Sequence, residues 1–83
     1  MTVEELCRKY IDYRKNSIKE STIARYQAII RNHISPQIGG IVAKDITRQQ
    51  TEQLYKNLHT LGISDNTIHD IGIFLRAVYN WAS

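Results

Sequence analysis

Ser21, Ala24, Arg25, Ala28 and Asn32 recur at helical spacing in a stretch whose other positions include Ile23, Tyr26, Ile30 and Ile34. At about 100° per residue the two sets fall on opposite faces of one helix. The apolar set reads as a core stripe. The polar set is a face of small side chains around one long cation, with Lys19 just ahead of it. Such a face suits a phosphate backbone or an acidic protein surface, and the plain alternative is a solvated helix surface. The remaining reactive residue types are dispersed. His33, His59 and His69 form no metal-ligand cluster, and Cys7 is the sole cysteine, so neither a Cys-based zinc site nor an internal disulfide can form. Of the five tyrosines, Tyr10, Tyr26 and Tyr79 lie in apolar stripes, and Tyr13 and Tyr55 sit at or beside one. A core tyrosine with a satisfied hydroxyl is the stronger reading for most of them.

Eighty-three residues make one domain with room for a single modest core. An apolar fraction of 42% is too high for disorder, and one Pro and four Gly leave little material for a many-turned β structure. Composition therefore leans to an all-α fold. The net charge of +3 is carried unevenly. Residues 1–43 hold seven Lys or Arg against four Asp or Glu, whereas residues 44–83 hold four of each. No apolar run approaches the ~20 residues a membrane span needs. The opening "MTVEELCRKY" has no apolar signal-peptide core, and a free thiol suits a reducing compartment. A cytoplasmic protein, bacterial or phage-encoded, is expected.

Four helices are predicted, over about 3–15, 22–33, 48–61 and 65–82. Thr2 with Glu5, and Thr47 with Gln50, have capping-box spacing at the starts of the first and third. Val3, Leu6, Tyr10 and Tyr13 form the first apolar stripe, with Ile11 flanking it. Ser21 is the expected N-cap of the second helix, which should end near Asn32 or His33 because Pro36 pushes Ser35 out of the helical region. Residues 34–46 form a connector seated by Ile38, Ile41 and Ile46 and turned at Gly39 and Gly40. Thr51, Leu54, Leu58 and Leu61 are the third stripe. Gly62 stands where a left-handed C-terminal residue is wanted, with Ile63 for the accompanying apolar contact. Ser64 caps the fourth helix, whose stripe is Ile68, Ile71, Leu75, Val78, Tyr79 and Ala82, and Gly72 allows a close helix crossing. The apolar pattern is still running at "YNWAS", which reads as a domain excised from a longer chain.

The ordered motifs "STIARY" (21–26), "HISPQIGG" (33–40), "DIT" (45–47) and "GISDNTI" (62–68), closed by "FLRAVYNWA" (74–82), resemble the N-terminal core-binding domain of tyrosine recombinases, the phage-integrase family. No one motif is diagnostic; their order and spacing together are fairly specific. The resemblance implies a compact four-helix SAM-like bundle spanning residues 1–83, which binds double-stranded DNA on one face of the duplex. The catalytic domain of the same chain takes the opposite face, and other recombinase protomers share the DNA. It also implies that strand cleavage, by a tyrosine with arginine, lysine and histidine helpers, belongs to that absent domain. Here His33, His59 and His69 are followed three residues on by Pro36, Gly62 and Gly72, so no His-x-x-Arg motif exists. No catalytic residue, metal or cofactor is expected in this chain, and no membrane partner.

Under the resemblance, the second and fourth helices supply the groove contacts. Ala24 and Ala28 allow close approach, while Ser21 and Arg25 reach phosphates or base edges, with Asn32 on the same face. Arg25 is the leading candidate, because a guanidinium can pair with a guanine edge through two hydrogen bonds. Lys19 and Ser21, at a helix start, fit phosphate contacts. Glu20 is discordant there unless it points away or pairs with Lys19. On the fourth helix, Ser64, Asn66 and His69 are candidates, with Asp65 as a counter-charge, and Arg14 and Lys15 are flanking phosphate candidates. Two other classes stay open. One is a helix-turn-helix regulator using Leu61–Phe74. The other is a small helical protein-interaction domain anchored by Ile73 and Trp81, which fall outside the fourth stripe.

Overall fold

Threonine followed three residues later by a carboxylate or an amide starts two of the four helices. In the computed structural model, which describes residues 1–83, the Thr2 hydroxyl accepts from the Glu5 N–H at 3.2 Å, and the Glu5 carboxylate accepts from the Thr2 N–H at 3.0 Å. This box opens α1 (Val3–Arg14). Thr47 and Gln50 exchange the same pair of bonds, at 3.1 and 2.8 Å, at the start of α3 (Arg48–Thr60). Both expected capping boxes are present, and each threonine cap is worth about 1 kcal/mol.

The connector completes the start of α1. The Val3 and Glu4 N–H groups, which the helix itself cannot satisfy, donate to the Ile41 and Gly39 carbonyls at 2.8 and 3.2 Å. The Ala43 N–H donates to the Met1 carbonyl at 2.8 Å, and Thr2 pairs with Val42 in an isolated antiparallel bridge. The Ser35 hydroxyl donates to the Glu4 carboxylate. Ile38 is buried, and Ile41 and Ile46 are half-buried against the core, as their spacing predicts. A 3-10 turn, Ala43–Asp45, follows, and its Ala43 carbonyl accepts from the Tyr79 hydroxyl at 2.9 Å.

α2 (Glu20–Ile29) departs from expectation at both ends. Its N-cap is Lys19, not Ser21. Lys19 is extended (φ −68°, ψ 149°), and its carbonyl accepts the Ile23 N–H at 3.1 Å; the cap is backbone geometry, with no side-chain bond. At the other end α2 runs straight into a π-helical turn, Ile30–Ile34, closed by the Ser35 N–H donating to the Ile30 carbonyl at 2.8 Å. Ser35 stays helical (φ −57°, ψ −45°) although Pro36 follows it. In an α-helix a proline collides with the carbonyl four residues back. Here Pro36 stands one residue past the last bond of the π turn, so its missing N–H breaks no helical hydrogen bond. The Ile34 carbonyl then receives the Ile38 and Gly39 N–H groups at 2.8 and 2.9 Å, and the chain doubles back so tightly that a Cβ on Gly39 would lie 2.5 Å from the Ser35 Cα.

α3 ends as its sequence predicts. Gly62 is left-handed (φ 85°). Its N–H donates to the His59 carbonyl, and the Ile63 N–H donates to the Leu58 carbonyl, both at 3.0 Å. This is the paired closure of a Schellman turn. The Ser64 hydroxyl then accepts the Thr67 N–H at 3.3 Å and caps α4 (Asp65–Ala82).

The helices close on one core that includes Leu6, Cys7, Tyr10, Ile30, Ile34, Leu54, Leu58, Ile71, Phe74 and Val78. Phe74, 1% exposed, was absent from the expected stripe, yet it joins three helices. Its ring centroid lies 6.0 Å from that of Tyr10 on α1 and 4.6 Å from that of Tyr26 on α2. Cys7 and Ile29 are further buried residues outside the expected stripes. Three stripe members prove exposed: Tyr13, Leu61 and Ala82. Leu61 is the C-cap of α3, where the chain turns off the helical path, and Ala82 is the last residue of α4. Tyr13 projects near the end of α1 and carries Trp81 against it, centroids 5.3 Å apart. Trp81 also packs on Tyr10 at 5.6 Å, so it is half-buried and not the free anchor its position suggests.

Candidate nucleic-acid interface

Ser21 and Arg25 stand four residues apart on α2, and Asn66 and Asp70 four apart on α4, so each pair shares one helix face. The two helices meet through side chains. Inside, the Tyr26 and Phe74 rings are in contact; at the surface, Arg25 donates through Nη2 to the Asp70 carboxylate. This ion pair joins the α2 and α4 strips into one polar surface. The Arg25 side chain remains 57% exposed, and only its Nη2 is engaged by the carboxylate.

The structure places the other candidates unevenly. Lys19 is exposed, has no ion-pair partner and flanks the first turn of α2. Ser21 is exposed in that turn, and because Lys19 takes the cap position its hydroxyl is not tied to capping. Glu20 is the first residue of α2 and makes no ion pair with Lys19; an acid there suits the positive end of the helix. Ala24 is exposed and Ala28 half-buried. Asn32 is exposed but lies in the π turn, whose wider winding takes it off the phase that aligned it with Ser21 and Arg25. Ser64 is held by the α4 cap, donating to the Thr67 hydroxyl at 2.9 Å. Asn66 is exposed. Asp65, in the same first turn, lies 3.6 Å from His59 Nδ1.

His69 belongs to a different feature. It lines an open groove of about 650 Å³ between α3 and α4, together with Arg48, Tyr55, Gly72, Ile73 and Arg76. Arg48 is paired with Glu52 at 3.2 Å, and Ile73 is 53% exposed. The helix-three surface showed no such groove in its sequence, because its other wall is α4. The flanking cations are partly engaged: Lys15 pairs with Asp12 at 3.1 Å, and Arg14 donates to the Tyr10 hydroxyl at 3.2 Å with its guanidinium over that ring.

Burial governs the titration of the remaining reactive groups. The Cys7 thiol is pushed up to about 12 by burial, so it stays protonated and unreactive at neutral pH. The Tyr55 and Tyr79 hydroxyls are likewise held above the ordinary phenol value, first by burial. No three His, Cys, Asp or Glu side chains gather as a metal site, and no helix is long and apolar enough to cross a membrane.

Four helices around one apolar core, with α1 and α2 stitched through a connector, define an all-α SAM-like bundle. Residues 2–59 match the family of the phage integrase N-terminal SAM-like domain, and the chain belongs to that family. The resemblance to a tyrosine recombinase N-terminal domain is thereby borne out. The matched segment takes in the α1 cap, the "STIARY" helix, the connector and α3 up to its penultimate residue; the α4 motif lies beyond it. Comparison with curated proteins and with solved structures gives no match.

Proposed function

We propose that residues 1–83 are a single core-binding domain that holds double-stranded DNA for a tyrosine recombinase, with cleavage performed by a catalytic domain of the same parent chain. The observation that carries this reading is the continuous α2–α4 surface: exposed Lys19 and Ser21 at a helix start, Arg25 at its centre, and Asn66 on the adjoining helix. Lys19 and Ser21 contact phosphate, where the α2 N-terminus already favours an anion. Arg25 and Asn66 reach base edges. Arg14 and Lys15 contribute through weaker flanking attraction, because each already has an internal partner. His69 and Asn32 lie at the margins, and Ser64 acts through the α4 cap. Neighbouring protomers and the catalytic domain are the expected protein partners, in the cytoplasm of a bacterium or its phage-infected state.

The test is duplex binding by the 83-residue chain, followed by fluorescence anisotropy across a salt series. Each phosphate contact contributes about −0.9 to the slope of log affinity against log salt. Lys19→Ala should therefore flatten the slope by about one contact, and Arg25→Ala should weaken binding further. Binding that ignores salt, or that neither substitution changes, contradicts the proposal.

A further inference from the structure

We propose that Asp70 is a positioning residue for base reading: it anchors Arg25 across the α2–α4 seam and fixes the plane in which the guanidinium meets a guanine edge. The proposal rests on the DNA-binding reading above. Its basis is a contact that local sequence spacing does not supply, since residues 25 and 70 are on different helices.

A guanidinium carries five N–H donors in a rigid fork. Arg25 uses Nη2 on the Asp70 carboxylate, and the side chain is still 57% exposed, so donors remain for a second partner. A two-bond contact to guanine O6 and N7 needs the fork held in one plane. An unanchored arginine is mobile about its whole stem and loses that freedom on docking; one already tethered at an edge loses less. The seam is a firm mount, because Tyr26, the neighbour of Arg25, packs its ring on the buried Phe74 of α4. An acid facing phosphates also opposes non-specific attraction. Asp70 therefore lowers general affinity for DNA while sharpening discrimination.

The experiment is selection from a randomised duplex library, with sequencing of bound DNA, using the 83-residue chain as wild type, Asp70→Asn, Asp70→Ala and Arg25→Ala. A positioning role predicts that the wild type enriches a guanine at one position. It also predicts that Asp70→Ala and Arg25→Ala lose about 5- to 100-fold of discrimination at that same position. Non-specific binding by both Asp70 variants should not weaken. Asp70→Asn, which keeps an oxygen acceptor without the charge, should lose less. In the free protein, NMR of the Arg25 Nε–H should show greater mobility in Asp70→Ala, with unchanged melting as the check on folding. Uniformly tighter binding with the guanine preference intact in Asp70→Ala overturns the positioning role and makes Asp70 a simple counter-charge. No enrichment and no binding by the wild type overturns the DNA-binding reading, and the positioning role with it.

Discussion

Around the start of α1 almost every polar group is answered from within the chain, whereas along the α2–α4 seam most are left open. The Val3, Glu4 and Ala43 N–H groups find connector or terminal carbonyls, and Thr2, Glu5 and Ser35 find one another or Glu4. On the seam, Ser21, Asn66 and Lys19 are exposed, and only Arg25 and Asp70 are joined. Both regions are rich in polar groups. The difference is that the first closes a backbone which would otherwise be unsatisfied, and the second presents side chains outward. Substitutions in the first should cost folding, and substitutions in the second should cost binding.

The sharpest contrast lies within the connector itself. Gly39→Ala forces a Cβ to 2.5 Å from the Ser35 Cα and 2.9 Å from its carbonyl oxygen, both backbone atoms that cannot swing away. We expect a loss of about 1–3 kcal/mol, read as a melting temperature lower by roughly 4–8 °C per kcal/mol for a domain of this size. Gly40→Ala has open space and should stay within about 0.5 kcal/mol. Equal losses at the two glycines would break the stitched-connector account.

Next comes the α1 cap. Thr2→Ala should cost about 1 kcal/mol in urea denaturation. The Glu5 carboxyl is held below its ordinary 4.5, first by the Thr2 N–H bond and then by the Thr2 hydroxyl. The folded state thus binds fewer protons than the unfolded state just below pH 4.5. This contribution is present above that pH and fades as acid titrates the folded carboxyl. Glu5→Gln should make the stability curve flatter over that window, and an unchanged acid limb would contradict the assignment.

Gly72→Ala tests the crossing of α3 and α4. A Cβ there would lie 3.5 Å from the Tyr55 hydroxyl, an ordinary contact, so glycine is not required at this crossing. Relief of a mid-helix glycine should stabilise the fold by about 0.5–1 kcal/mol. Arg25→Ala should change folding stability by no more than about 1 kcal/mol, because the ion pair is exposed. A large loss of stability there would erase the distinction between the two regions.

What could be read in the sequence was what depends on near neighbours. Thr2–Glu5, Thr47–Gln50, the Gly62 turn and the Ser64 cap are each set by residues a few positions apart, and each appears as expected. The Lys19 cap was hidden because it is made by the backbone without a side-chain signature, while Ser21 two residues on has a capping side chain. The π turn was hidden because proline was weighed against α-helical geometry alone. Trp81 and Asp70 are understood only once α1 and α2 come to lie beside α4. The candidate surface was half legible: Arg25 could be picked out by type and face, but not the carboxylate that holds it.

The most direct measurement is an amide-resolved NMR titration of the 83-residue chain with duplex DNA at two salt concentrations. Shifts should concentrate over Lys19–Arg25 and Asn66–Asp70 and fade as salt rises, with the stitched start of α1 and the connector unmoved. Shifts confined to Arg8–Lys15 or to the α3–α4 groove, or no shifts in low salt, would contradict DNA docking by the α2–α4 surface.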